Sequence, residues 1–93
     1  MAIKSFAHKG LQRFFETGSK AGIIPAHATR LRMQLLALAA AETVEALRFP
    51  AYRLHQLTGD LAGRWSITVQ GNWRITFEFV DGDAYTVNYE DYH

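Results

Sequence analysis

The spacing of apolar residues changes at Pro50, and that change constrains the fold more than any other feature of the chain. Before it, Leu11, Phe14 and Phe15 sit at i, i+3 and i+4, one face of a helix. Ala28, Leu31, Leu35 and Leu38 recur on a second helical stripe. After Pro50 the period falls to two. Trp65, Ile67 and Val69 alternate with Arg64, Ser66, Thr68 and Gln70. Ile75, Phe77 and Phe79 alternate with Arg74, Thr76 and Glu78, and Tyr85, Val87 and Tyr89 with Thr86, Asn88 and Glu90. Such alternation marks half-buried strands. Helices first and strands second predict an α+β fold, two N-terminal helices packed on a C-terminal antiparallel β-sheet.

Local signals set the boundaries. Ser5 is predicted to cap a first helix over residues 7–17, with Gly18 as a left-handed C-terminal cap. Pro25 suits the first turn of a second helix, where its missing N–H is not needed. His27, Arg30 and Gln34 fall off that helix's apolar stripe, so they are expected to face solvent or a partner. Residues 44–47 suit a short helical turn that Pro50 ends, and residues 53–57 a short strand. Asp81-Gly82 is a strong two-residue hairpin signal, and Gln70-Gly71-Asn72 supplies the preceding turn. The strand face turned from the helices would carry Arg64, Ser66, Thr68, Arg74, Thr76 and Asn88. Such a face is usually solvated, but it also suits a shallow groove, and its two arginines favour an anionic ligand.

Ninety-three residues are expected to form one domain over positions 1–93. There is no cysteine, which excludes disulfides and thiolate metal sites. Residues 1–9 lack the apolar stretch of a secretion signal, and no apolar run approaches the ~20 residues of a membrane span. A cytoplasmic protein with no membrane partner is expected. The net charge of +1 conceals a division. Through Arg53, eight basic residues oppose three acidic ones; beyond it, Arg64 and Arg74 oppose six acids. The basic half is either an ordinary solvated surface or an electrostatic footprint for a polyanion.

Most familiar catalytic motifs are missing. Ser5, Ser19 and Ser66 lie in no nucleophile-elbow context. No Gly-rich phosphate loop and no metal-binding histidine spacing occurs, so no metal or cofactor is expected. His8 and His27 read as ordinary helix positions, and His55 either as a strand histidine with a satisfied hydrogen bond or as a proton carrier. The chain ends Asn88-Tyr89-Glu90-Asp91-Tyr92-His93, a frayed terminus or a cluster equipped for proton transfer near neutral pH. Cleaving RNA needs little more than such groups, because the substrate's own 2′-hydroxyl is the nucleophile. Histidine or a carboxylate can move the protons, and an arginine can steady the charged phosphorane. His55, Asp91, Tyr92, His93 and Arg74 provide these types.

The chain resembles the HigB toxins of the RelE/ParE superfamily over nearly its whole length. The resemblance is carried by Ile3-Lys4-Ser5-Phe6, Tyr52-Arg53-Leu54-His55, Gly59-Asp60 through Trp65-Ser66-Ile67, Asn72-Trp73-Arg74-Ile75-Thr76-Phe77 and the terminal Asn88 to His93 run. It implies a RelE-like fold and a toxin that cuts messenger RNA on the ribosome. It also implies a HigA-like helix-turn-helix antitoxin, with operator DNA bound only through the complex. The catalytic positions it carries over are His55, Arg74, Asp91, Tyr92 and His93, with base and acid unassigned among His55, Asp91 and His93. Arg64 and the basic residues Lys4, Lys9, Arg13, Arg30 and Arg32 are then the expected RNA contacts. Two positions depart from the family pattern, Thr58 where a lysine is common and Gln70 where an arginine is common. The alternative in the same superfamily is a ParE-like toxin that binds DNA gyrase and cleaves nothing. A third reading is an inert module whose sheet face docks a peptide.

Overall fold

A computed structural model describes residues 2–59 and 63–91. Helix α1 spans Lys9–Thr17 and α2 spans Ala28–Ala40. Strands β1 (His55–Gln56), β2 (Arg64–Gln70), β3 (Trp73–Val80) and β4 (Asp83–Asp91) form one antiparallel sheet in the order β1-β2-β3-β4. Short 3₁₀ turns at Pro25–His27, Val44–Leu47 and Pro50–Tyr52 link these parts. The fold is the α+β arrangement read from the periodicity. No helix among the described residues is long and apolar enough to cross a membrane.

The core lies between the helices and one sheet face. Leu11, Leu31, Leu35, Leu38, Leu47, Ile67, Ile75, Phe77 and Val87 are wholly buried in it. Gly18 takes φ 81° as the C-cap of α1, and its N–H donates to the Phe14 carbonyl, which satisfies a carbonyl the helix end would orphan. The Asp81-Gly82 turn closes β3 onto β4 with both residues at positive φ, 51° and 84°, the twist a two-residue hairpin requires.

Four expectations are corrected. Ser5 does not cap α1. His8 does, its Nδ1 accepting from the Leu11 N–H at 2.9 Å. Ser5 instead belongs to an N-terminal segment that runs parallel to β4, with bridges Ile3–Ala84 and Phe6–Val87. Lys4 and Ala7 donate their N–H groups to the carbonyls of Ala84 and Val87, and the N–H groups of Ala84 and Val87 donate to the carbonyls of Ala2 and Ser5. The segment covers what would otherwise be an open sheet edge.

Gln34 and His27 are buried, not exposed. Gln34 Nε2 donates to the Thr68 carbonyl at 2.8 Å, and His27 Nδ1 lies 2.6 Å from the Tyr89 hydroxyl. The apolar stripe underestimates the buried arc because these polar groups find partners there.

Tyr85 does not share the face of Val87 and Tyr89. Glu78 pairs with Tyr85 whereas Thr76 pairs with Asn88, so β4 carries one extra residue. Thr86 takes φ 54° at this bulge, its N–H receiving no ladder partner and donating instead to Ser5 Oγ. An inserted residue reverses the alternation beyond it, and Ala84 takes the buried place.

The sheet face turned from the helices is not simply solvated. Ser66 and Thr76 are fully buried on it. Arg64 donates to Thr76 Oγ1 and to the Thr86 carbonyl, and Thr76 donates onward to Glu90 at 2.6 Å. Long charged side chains thus lie across the small ones in a hydrogen-bonded layer.

Candidate functional site

Arg53 and His55 form a unit at the sheet's free edge. The Pro50–Tyr52 turn ends on Arg53 at φ 50°, a conformation that non-glycine residues seldom adopt. This turn brings the Arg53 carbonyl back onto its neighbour, where it meets His55 Nδ1 at 2.9 Å. A carbonyl can only accept, so Nδ1 carries the proton. In the neutral ring Nε2 is then the free lone pair, on a side chain that is exposed.

Register fixes the relation of His55 to the arginines. His55 pairs with Ser66, Ser66 with Thr76, and Arg74 lies two residues along β3 from Thr76. Paired residues and residues two apart share a face, so His55 and Arg74 lie on the same side of the sheet. Thr68, Arg74 and Glu90 form the next row.

A cleft of about 360 Å³ opens beside that row. It is lined by Arg30, Ala51, Arg53, Thr68, Val69, Gln70, Gly71 and Arg74. Three arginines therefore line one hollow, and no acid among the described residues lines it. Like charges held together repel; Glu90, paired with Arg74 across the strands, offsets part of that repulsion, and an anion in the hollow would offset more. Arg30 is held in place, its Nη2 donating to the Ala51 carbonyl at 3.2 Å and its guanidinium 6.0 Å from the Tyr52 ring centre. The Thr68 hydroxyl is buried and has no hydrogen-bond partner among the described residues. Gln70, one of the two departures from the family pattern, stands on the cleft wall. Thr58, the other, is exposed beyond β1.

The remaining expected residues are divided among several surfaces. Asp91 pairs with Trp73 at the end of β4, so alternation sets it on the helix side of the sheet while Glu90 sits with Arg74. Tyr92 and His93 lie outside the described residues. Arg64 is engaged within the sheet as described above. Lys4 lies on the N-terminal segment and Lys9 and Arg13 on α1, all exposed. Arg30 and Arg32 part company on α2. Arg30 borders the cleft, whereas Arg32 lies 5.8 Å from the Phe14 ring centre. The basic half is thus two surfaces rather than one footprint.

A second group of rings supports the end of β4 from the helix side. Trp73 and Tyr89 have ring centres 4.6 Å apart, and His27 meets both edge-on. Burial pushes the Tyr89 phenol above its ordinary range, although the Ile24 backbone amide draws it the other way.

Sequence reasoning missed Arg53 and Glu90. Arg53 was visible only as part of the Tyr52-Arg53-Leu54-His55 motif, which says nothing of a left-handed turn. Counting outward from the Asp81-Gly82 turn sets Tyr89 opposite Arg74, and the bulge at Thr86 moves Glu90 there.

Comparison with known proteins adds to this geometry. Residues 4–93 match a family model described as the RelE-like toxin of the type II toxin–antitoxin system HigB. The chain is 50% identical over 91 residues to Endoribonuclease HigB of Proteus vulgaris, covering 98% of this chain and 99% of that protein. It is 36% identical over 86 residues to Toxin HigB-1 of Vibrio cholerae, covering 90% of each. Among solved structures, YafQ from E. coli superposes with a TM-score of 0.55 over 94% of this chain and 90% of that one. At 13% identity that likeness concerns the fold alone.

Proposed function

The chain belongs to the HigB-like toxins of type II toxin–antitoxin systems, and from that membership we propose that it is an endoribonuclease that cuts messenger RNA on the ribosome. The observation that carries this reading is 50% identity, over nearly all of both chains, to a protein named an endoribonuclease.

In this proposal residues 1–93 act as one toxin domain in the cytoplasm. The substrate's 2′-hydroxyl attacks the adjacent phosphorus, and the 5′-oxygen leaves with a proton. His55, Asp91 and His93 share the proton transfers, a role that requires Asp91, set on the helix side at the end of β4, to reach round that end to the face of His55. His55 suits such a role because its Nδ1–H is held by the Arg53 carbonyl, which leaves Nε2 to exchange a proton with the substrate. Arg74 steadies the charge that develops on the phosphate oxygens, and Tyr92 stacks on or positions a base. With a net charge of only +1, free RNA is held weakly, so the ribosome supplies much of the substrate's positioning.

A type II toxin has an antitoxin partner. The partner in this reading is a HigA-like helix-turn-helix protein, and operator DNA is reached only through the complex of the two.

The test is cleavage of messenger RNA on translating ribosomes, run beside a gyrase cleavage-complex assay. His93→Ala and Arg74→Ala should each lower the cleavage rate by about 10²-fold or more with an unchanged circular-dichroism spectrum. Full cleavage by both variants would remove the assigned roles. Trapped gyrase complexes without RNA cleavage would instead select the ParE-like alternative.

A further inference from the structure

We propose that Arg30 and Arg53, beside Arg74, form a subsite for a non-scissile phosphodiester of the messenger RNA strand. The proposal rests on the endoribonuclease reading and extends it to the path of the substrate. Arg53 would then serve the reaction twice, binding through its side chain and orienting His55 through its main chain.

Four observations carry the inference. All three arginines line one cleft of about 360 Å³, and no acid among the described residues lines it. Arg30 is already oriented by the Ala51 carbonyl and the Tyr52 ring, so little side-chain freedom remains to be lost on binding. Thr68 contributes a buried hydroxyl that no described group satisfies. Arg53 itself joins the cleft to the proton carrier, since it lines the hollow and its carbonyl holds His55 two residues away.

The connection also sets a direction. Arg74 belongs to the face that His55 shares, so it handles the reacting phosphate. Arg30 and Arg53 line the same cleft as Arg74, and in this proposal they take the neighbouring phosphate of the strand. Planar guanidinium groups hold phosphate oxygens in pairs, and removing one should weaken binding without altering proton transfer.

The variants follow from the backbone. Arg53→Asn removes the charge while keeping a residue that tolerates left-handed φ, so the carbonyl stays on His55. Arg53→Lys restores the charge, and Arg30→Gln removes the second cation. On translating ribosomes, Arg53→Asn and Arg30→Gln should each raise KM for messenger RNA roughly tenfold and leave kcat within about threefold. The pH profile should not move, and Arg53→Lys should recover part of the loss.

Binding of a 2′-O-methylated oligoribonucleotide, which cannot be cleaved, should weaken for each variant. Its log–log salt slope should fall by about one unit per lost cation. Unchanged KM and unchanged oligonucleotide affinity, with cleavage intact, would overturn the subsite and spare the enzyme assignment. Oligonucleotide binding that depends on both arginines, in a protein that cleaves nothing, would keep the subsite and remove the enzyme assignment. A loss seen only in affinity for ribosomes free of messenger RNA would assign the phosphate to ribosomal RNA and overturn the proposal.

Discussion

Tyr89 and His27 meet at 2.6 Å inside the protein, and the chemistry of that contact has a measurable consequence. With the Ile24 amide acting on the phenol oxygen, the hydroxyl hydrogen is left to donate to His27 Nδ1. Replacing Tyr89 with Phe strands a buried ring nitrogen, which should cost about 1–3 kcal/mol in urea unfolding at neutral pH. Because burial raises the phenol's pKa, the unfolded chain ionises first as pH increases. Below roughly pH 10 both states are neutral and the contribution is complete. Above it, wild-type stability should fall as pH rises toward the folded-state value, and the difference from Tyr89→Phe should shrink. A difference that stays constant through this range would refute the assignment. At this scale the sequence was legible by residue type and not by position. His55 and Arg74 stood out for what they can do chemically. Arg53 did not, since its part depends on a backbone carbonyl that no side-chain pattern reveals, and His27 passed for a surface residue because its partner lies 62 positions away.

The elements obeyed the periodicity where their geometry is regular. Asp81-Gly82 announces its hairpin, and the repeats of three to four and then of two locate both helices and all three long strands. The irregular feature of β4, the bulge at Thr86, leaves no mark, because a β-branched residue at φ 54° is held there by its neighbours. Its N–H donates to Ser5 and its hydroxyl to Glu78. Two substitutions separate strain from bonding. Thr86→Val and Thr86→Gly both lose the hydroxyl, and only valine keeps a branched side chain in a left-handed conformation. The glycine variant should be about 1 kcal/mol more stable than the valine variant, measured by denaturant midpoint. Equal stability would mean that the bulge stores no strain. The same bulge brings Glu90 opposite Arg74, so the electrostatic setting of the candidate site was beyond reach of any count along the strand.

For the molecule as a whole, one core joins the helices to the sheet. Phe77 lies wholly buried within it, and Phe77→Ala should cost about 3–5 kcal/mol. That is a large share of the ~5–15 kcal/mol that holds a domain together. A fall in thermal midpoint of many degrees and a lower soluble yield are the expected outcomes, and a melt close to wild type would show the core to be less coupled than it looks. The halves of opposite charge remain a property of the sequence rather than of one surface, since Arg30 and Arg32 look to different sides of α2. The parallel bridges that tie residues 3 and 6 to residues 84 and 87 bear on when the protein becomes dangerous. The first stretch to leave the ribosome has nothing to bind until the last strand has been made, and contacts so distant in sequence form late. An interrupted translation product lacks both that closure and the strand that presents Glu90 and Asp91. Order of synthesis therefore postpones the closing of this sheet edge until the final strand exists, so an unfinished copy lacks the closed fold.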